Sequence, residues 1–378
     1  MDNTAVIFGA GKTGRGFAAH LAVLGGYDIV LIDKNKKLVN DLASAGKYYI
    51  EVLGDAQKIE TLKVSSAYHI DDSGWYDRLV TAPVAFTAVF GNNLGQLSRD
   101  LAPALKKRYL ENPGAPLTII TCENLANAAH FFKGEVLKHM SSKEREWLSE
   151  GVGFSESIIF KTCLDAAPGQ SPLTIRAQNF FELPCDGDAI KAPLHVFGLK
   201  PLSNFGNQLK RKIYTYNCIN AVITYHGAQK GYEQLYDAGN DPEILRIAQK
   251  AAAETSGALI AEYHFDEKEQ EDWVNAAFKK FSDRNIPDPI ERNGADPARK
   301  LSRDDRLIGP ALLALKHGIY PGGLLEGIVA AFHYLEKEKE VDGTIEAEGI
   351  DVLLQKVCGL SEEEELFTLI KEKYTSGA

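Results

Sequence analysis

Phe8-Gly9-Ala10-Gly11-Lys12-Thr13-Gly14-Arg15-Gly16, the stretch FGAGKTGRG at residues 8–16, decides the fold. It sets Gly9, Gly11 and Gly14 in GxGxxG spacing. In front lies TAVIFG at 4–9, a short apolar run of the kind that makes a buried strand. Behind lie the helical pattern GFAAHLAVLGG at 16–26 and a second buried strand, YDIVLID at 27–33. Together they read as a βαβ unit. In such a unit the first glycine permits a tight turn and the second lets the backbone approach a pyrophosphate. The third lets helix and strand pack closely, and the helix N-terminus supplies partial positive charge. Lys12 and Thr13 belong to the same phosphate loop.

Asp33 closes the second strand, 24 residues after Gly9. A carboxylate there accepts ribose hydroxyls and repels a 2′-phosphate, which favours NAD over NADP. The neighbouring Lys34 tempers that preference. Further buried strands are expected at 84–90 (VAFTAVF) and 117–122 (LTIITC), with helical stretches between them. The expectation is a Rossmann-like doubly wound parallel sheet of the α/β class. Ligands of such sheets bind beyond the carboxyl ends of the strands. That rule draws in Asn92 after the third candidate strand, and Glu123 and Asn124 after the fourth, as cofactor contacts. Apolar residues also alternate in YYIEVL and ETLKVSS between about 40 and 75, which predicts inserted antiparallel strands.

Past about residue 198 the texture changes. Stretches at 211–227, 243–263, 305–318, 322–335 and 349–359 show helical spacing with few strand signals. The expected division is a Rossmann-type nucleotide-binding domain at 1–197 and a mostly α-helical substrate and catalytic domain at 198–378. The EKEKE run at 336–340 reads as a solvated helix face, and the end, SGA, as frayed.

Bulk composition agrees with a globular chain of this size. There are 378 residues, too many for one ordinary core, with 44% hydrophobic and 25% charged residues. A formal net charge of -10 disfavours nucleic acid or an anionic membrane surface as partner. No apolar run reaches the roughly 18 residues of a membrane span. The N-terminus enters a strand pattern directly, without a signal-peptide pattern. Five scattered cysteines, none in CxxC spacing, suit reduced thiols in the cytoplasm, and no Cys/His zinc cluster is evident. No metal is therefore expected.

The helix candidate Lys212-Ile-Tyr-Thr-Tyr-Asn217-Cys-Ile-Asn220 carries the chemistry of the second half. At about 100° per residue, Lys212, Asn217 and Asn220 fall near 0°, 140° and 80°, with Thr224 near 120°. Burying a lysine and two amides on an apolar helix is unfavourable unless they meet partners. Convergence on a ligand would account for them; a snorkelling lysine and locally bonded amides would too. Further on, RKLSRDDR carries Arg299, Lys300, Arg303 and Arg306. These cations suit a substrate phosphate, or a surface network with Asp304 and Asp305.

Read together, these motifs resemble the polyol-specific long-chain dehydrogenases. The matching pieces are FGAG..GRGF at 8–17, CEN at 122–124, GF at 153–154 and FFE at 180–182. They continue with K....N at 212–217, TY.G at 224–227, PxRKL at 297–301, DRLIGP at 305–310 and LLEGIVAA at 324–331. The resemblance implies NAD-dependent interconversion of a polyol, or its phosphate, and a keto sugar, with mannitol 1-phosphate and fructose 6-phosphate as the default pair. It implies Lys212 as general base, Asn217 as donor to the developing alkoxide, and Arg299, Lys300 and Arg303 as substrate contacts. It implies a histidine where this chain has Asn220. It also implies Asp-Arg where the chain has Phe160-Lys161, and an arginine at Ala295. Those departures leave room for a hexuronate, a non-phosphorylated polyol, or a nucleotide-binding protein without turnover.

Overall fold

The computed structural model describes residues 3–125, 127–338 and 344–376. Parts of the EKEKE run and of the terminal SGA lie outside them. The chain divides into two units, Met1–Phe205 and Gly206–Ala378.

In the first unit the strands run β1 (Thr4–Phe8), β2 (Asp28–Asp33), β3 (Lys47–Val52), β4 (Asp55–Lys63), β5 (Ser66–His69) and β6 (Val84–Thr87). They continue with β7 (Leu117–Thr121), β8 (Val152–Glu156), β9 (Cys163–Asp165), β10 (Thr174–Ala177), β11 (Leu183–Asp186) and β12 (Leu199–Leu202). The main sheet has the order β5-β2-β1-β6-β7-β8 and every pairing in it is parallel. Both faces of the central strands β1, β6 and β7 are covered, and their residues are buried throughout. Ala5, Ile7, Ile29 and Leu31 pack on one side with Phe17 and Leu21 of the first helix. Val6, Phe8, Val30 and Ile32 pack on the other with Trp75, Leu101 and Phe132. Period-two alternation thus divides one sheet between two cores.

The inserted antiparallel pair is present as β3 and β4. Ser66–His69 is not part of it; it joins the main sheet as an edge beside β2. β3 also pairs in parallel with β10, which pairs with β9, so the insertion belongs to a second sheet, β4-β3-β10-β9. The border between the units falls later than residue 197. β12 pairs in parallel with β11, which holds 199–202 in the first unit.

The second unit is helical. Its core gathers Cys218, Ile219, Val222, Ile223, Ile247, Leu324, Ile328 and Phe332, among others, from Cys218–Gln229, Pro242–Tyr263 and Gly322–Glu338. Glu254 accepts the backbone N–H groups of Gly323 and Leu324 (2.8–3.0 Å), satisfying a helix start inside that core. Among the described residues no helix is long and apolar enough to cross a membrane.

Candidate active site

In the first unit the three motif glycines divide by what surrounds them. Gly9 has φ +94°, and a Cβ there would lie 2.2 Å from the Ala88 carbonyl oxygen. A Cβ on Gly14 would lie 1.8 Å from the Gly9 carbonyl oxygen. A Cβ on Gly11 would meet nothing within 4 Å. So two glycines are required by the protein itself, and the middle one leaves a bare backbone facing open space. Lys12 pairs with Asp165 (3.0 Å) and Thr13 lies in the first turn of the helix. That helix winds as a π-helical turn over Gly14–Ala19 before His20–Leu24.

Asp33 takes the Ala10 N–H on Oδ2 (2.7 Å) and the Asn35 N–H on Oδ1 (2.8 Å). A carboxylate has about four acceptor sites. Asp33 therefore shapes the glycine loop and keeps capacity for hydroxyl groups. Arg15, which the spacing argument passed over, straps the loop from beneath. It is buried, with Nε on the Ala10 carbonyl (2.7 Å) and Nη1 on the Leu173 carbonyl (3.0 Å). The Tyr48 hydroxyl donates to the Arg15 carbonyl (2.8 Å).

The residues after β6 and β7 are arranged less simply than expected. Asn92 and Asn124 are exposed. The Asn93 carboxamide turns back to the Val89 carbonyl (2.6 Å). Glu123 turns inward: it is 7% exposed and accepts the Val89 N–H at 2.8 Å. Burial pushes its carboxyl up, while the bond from the Val89 N–H opposes that rise. Its immediate work is to shape the loop that follows β6.

In the second unit, Lys212 ends the helix Phe205–Lys212 and a π-helical turn covers Ile213–Asn217. The Cys218 N–H reaches back five residues to the Ile213 carbonyl. A π turn holds more residues than the 3.6 of a regular helix, so each residue advances by less than about 100°. Lys212 and Asn217 are therefore closer to one face than the roughly 140° of a regular helix would put them. The turn is pinned from below. Arg211, 2% exposed, lies between Phe265 and Trp273 (4.5 and 4.6 Å to the ring centres). Its Nε donates to Gln270 (2.8 Å), whose amide donates to the Thr215 hydroxyl (2.9 Å).

Lys212 is 8% exposed, and its pKa is pulled down to about 7. Burial is the largest cause, then the charges of Arg306 and Lys280, with Asp305 opposing. An amine in that range is poised to gain or lose a proton near neutrality. Asn220 donates to Asn293 Oδ1 at 3.1 Å, and Asn293 in turn donates to the buried Asp288. One N–H of Asn220 is thereby committed and the amide's orientation fixed.

The expected cation cluster splits. Lys300 is buried and donates to the Asn293 carbonyl. Its pKa is also drawn down to about 7, by burial and then by Arg306 and Arg299. Arg299 pairs with Asp296 and Asp305, the latter at 3.1 Å. Arg306 pairs with Asp305 at 2.8 Å. Arg303 points elsewhere, bidentate on Glu364 (2.6 and 3.0 Å) and on the Gly359 carbonyl (2.8 Å). Arg306, not Arg303, belongs electrostatically with Lys212 and Lys300. Of the other departures, Lys161 is buried in the first unit beside Phe17, Phe181 and His20. Among the described residues no cluster of His, Cys, Asp and Glu is suited to a metal ion.

A glycine loop open to a pyrophosphate, a carboxylate ending the next strand, and a helical unit with a neutralisable lysine beside an amide define the class: a two-unit Rossmann-type dehydrogenase. Residues 3–195 match the model of the mannitol dehydrogenase Rossmann domain, and 207–374 that of the mannitol dehydrogenase C-terminal domain. The chain belongs to the mannitol dehydrogenase family. It is 31% identical over 376 residues to a mannitol-1-phosphate 5-dehydrogenase of Bacillus licheniformis, covering 97% of this chain and 98% of that one. It is likewise 31% identical to that of Bacillus subtilis (98% and 99%). In structure it is similar to a D-sorbitol dehydrogenase (TM-score 0.82, 14% identity, 98% and 91% covered). It is also similar to Pseudomonas fluorescens mannitol 2-dehydrogenase, solved with NAD and D-mannitol (TM-score 0.75, 15% identity, 100% and 92% covered). At these identities the two structures establish the fold.

Proposed function

We propose that the protein is an NAD-dependent dehydrogenase that interconverts a polyol phosphate and a keto sugar phosphate, with mannitol 1-phosphate and fructose 6-phosphate as the first pair. One observation carries the chemistry: Lys212 is buried with its pKa near 7, on the same turn as Asn217. The bare Gly11 backbone and the Asp33 carboxylate fit an NAD pyrophosphate and ribose. Bound NAD supplies the hydride acceptor. Lys212 takes the substrate hydroxyl proton during oxidation and returns it during reduction. Asn217 donates to the oxygen as negative charge develops there. Asn220, held by Asn293, offers its remaining N–H to the same region. Lys300 and Arg306, with Arg299, supply positive charge for an anionic substituent. The same reading places the protein in the cytoplasm, where its five free thiols persist. It assigns no role to nucleic acid or membrane.

The test is NADH absorbance across sugar phosphates, polyols and uronates. Robust turnover of the mannitol 1-phosphate pair is the expected result, and failure with every member would remove the assignment. Arg299 is shared between two carboxylates and Arg303 is committed to Glu364. That thins the charge left for a dianion and favours, as the second reading, a hexuronate carboxylate. A uronate turned over faster than any phosphate would establish that reading instead.

Oxidation needs neutral Lys212, so its rate is expected to rise with pH through about 7 and level off above. Reduction needs the ammonium and should fall over the same range. Arg306 is the largest charge lowering this pKa. Arg306→Met should therefore move the acid limb of the oxidation profile to higher pH. An unmoved limb would separate Arg306 from the lysine.

A further inference from the structure

We propose that Phe90 is a positioning residue that packs against the nicotinamide riboside half of the bound dinucleotide. The inference rests on the NAD reading above and adds a residue that no motif carried. Phe90 has φ +66°, and the residue is 79% exposed. A bulky non-glycine residue at positive φ, here with ψ 136°, is an outlier. Exposing its ring as well is unfavourable in the free protein a second time over. Such a residue persists only where its surroundings over-determine it.

They do so here on both sides. Glu123 accepts the N–H group of Val89 (2.8 Å). The Asn93 carboxamide donates to the Val89 carbonyl (2.6 Å), and the Asn93 N–H donates to the Phe90 carbonyl (2.8 Å). The peptides flanking Phe90 are thus clamped, and its ring is presented rather than left to swing.

Topology says toward what. β1 lies between β2 and β6, with Phe8 opposite Thr87 in the β1–β6 pair. Asp33 ends β2 and takes the adenosine ribose; the glycine loop after β1 takes the pyrophosphate. The remaining half of the dinucleotide then extends over the end of β6, where Ala88 abuts Gly9 and Phe90 follows two residues later. Leu125, 41% exposed and in contact range of Gly91, extends the apolar lip at the end of β7. A flat aromatic ring is the complement of such a lip.

The experiment compares NADH, by fluorescence titration, with ADP, by calorimetry, on the full chain and on Phe90→Gly. Glycine accepts φ +66° without strain, so the variant should unfold at no lower temperature than the wild type. The expected result is an NADH Kd raised about 3- to 10-fold, the range of an aromatic pair, with ADP affinity within about twofold. Phe90→Leu, which keeps the backbone demand, should fall between. An unchanged NADH Kd, or an equal loss for ADP, overturns the role of Phe90 while leaving the dinucleotide reading intact. A wild type that binds neither probe overturns both.

Discussion

Lys212→Met is expected to lower turnover by about 10²- to 10⁴-fold, the span of a general base, while NADH affinity changes little. The nucleotide motif lies in the first unit and the lysine in the second, so cofactor binding and proton transfer are separable by mutation. The same variant should be more stable. Lys212 is 8% exposed and its folded pKa is near 7, against 10.5 as its ordinary value. Between those two pH values the unfolded chain holds the proton and the folded chain does not. Stability therefore rises as pH increases from about 7 toward 10.5, and below 7 the burden of a buried ammonium is present in full. Methionine, similar in length and apolar, removes that burden. The midpoint of thermal unfolding at pH 6 should rise by about 2 °C or more. Loss of activity with gain of stability is the mark of a residue kept for chemistry. A variant with near-normal rate would remove the base assignment. One that is inactive but less stable would make Lys212 a packing residue.

What could be read from the letters alone followed the range of the interactions involved. The βαβ unit around Gly9, Gly11 and Gly14 rests on contacts within about thirty residues, so strand, turn, helix and Asp33 were legible together. β8 went unread because VGFSE is short and takes its identity from pairing with Leu117–Thr121, more than thirty residues earlier. The second sheet depends on β10 meeting β3, which no local pattern announces. Ser66–His69 followed the insertion in sequence yet pairs with β2, because register is settled by the neighbour available and not by chain order. On the helix from Lys212 to Asn220, residue types were legible but geometry was not. The π-helical turn that brings Lys212 and Asn217 nearer one face arises from i→i+5 bonding, which has no periodic signature. The cation cluster shows the same limit. Arg299, Lys300, Arg303 and Arg306 are equivalent as letters, and only Glu364, far along the chain, draws Arg303 away.

The two glycines Gly11 and Gly14 should respond to the same substitution in opposite ways. Gly11→Ala adds a methyl group where the protein has nothing within 4 Å, and its backbone lies outside the left-handed region. The free protein should fold with an unaltered unfolding midpoint. Yet on the proposed reading that open space is where a pyrophosphate approaches the backbone, so the methyl should displace the ligand and not the fold. NADH affinity is expected to fall at least tenfold, about 1.4 kcal/mol. Gly14→Ala puts its methyl 1.8 Å from the Gly9 carbonyl oxygen, a backbone atom that cannot rotate away. Helix and strand must then separate, at about 1–3 kcal/mol or more for overpacking, and the loop distorts with them. Both stability and NADH binding should be lost together. The contrast separates a site built for a ligand from a turn built only for packing. If Gly11→Ala bound NADH as tightly as the wild type while Gly14→Ala unfolded, the motif would be structural alone. Asp33 would then act only as a loop anchor for Ala10 and Asn35, with the NADH ribose held elsewhere.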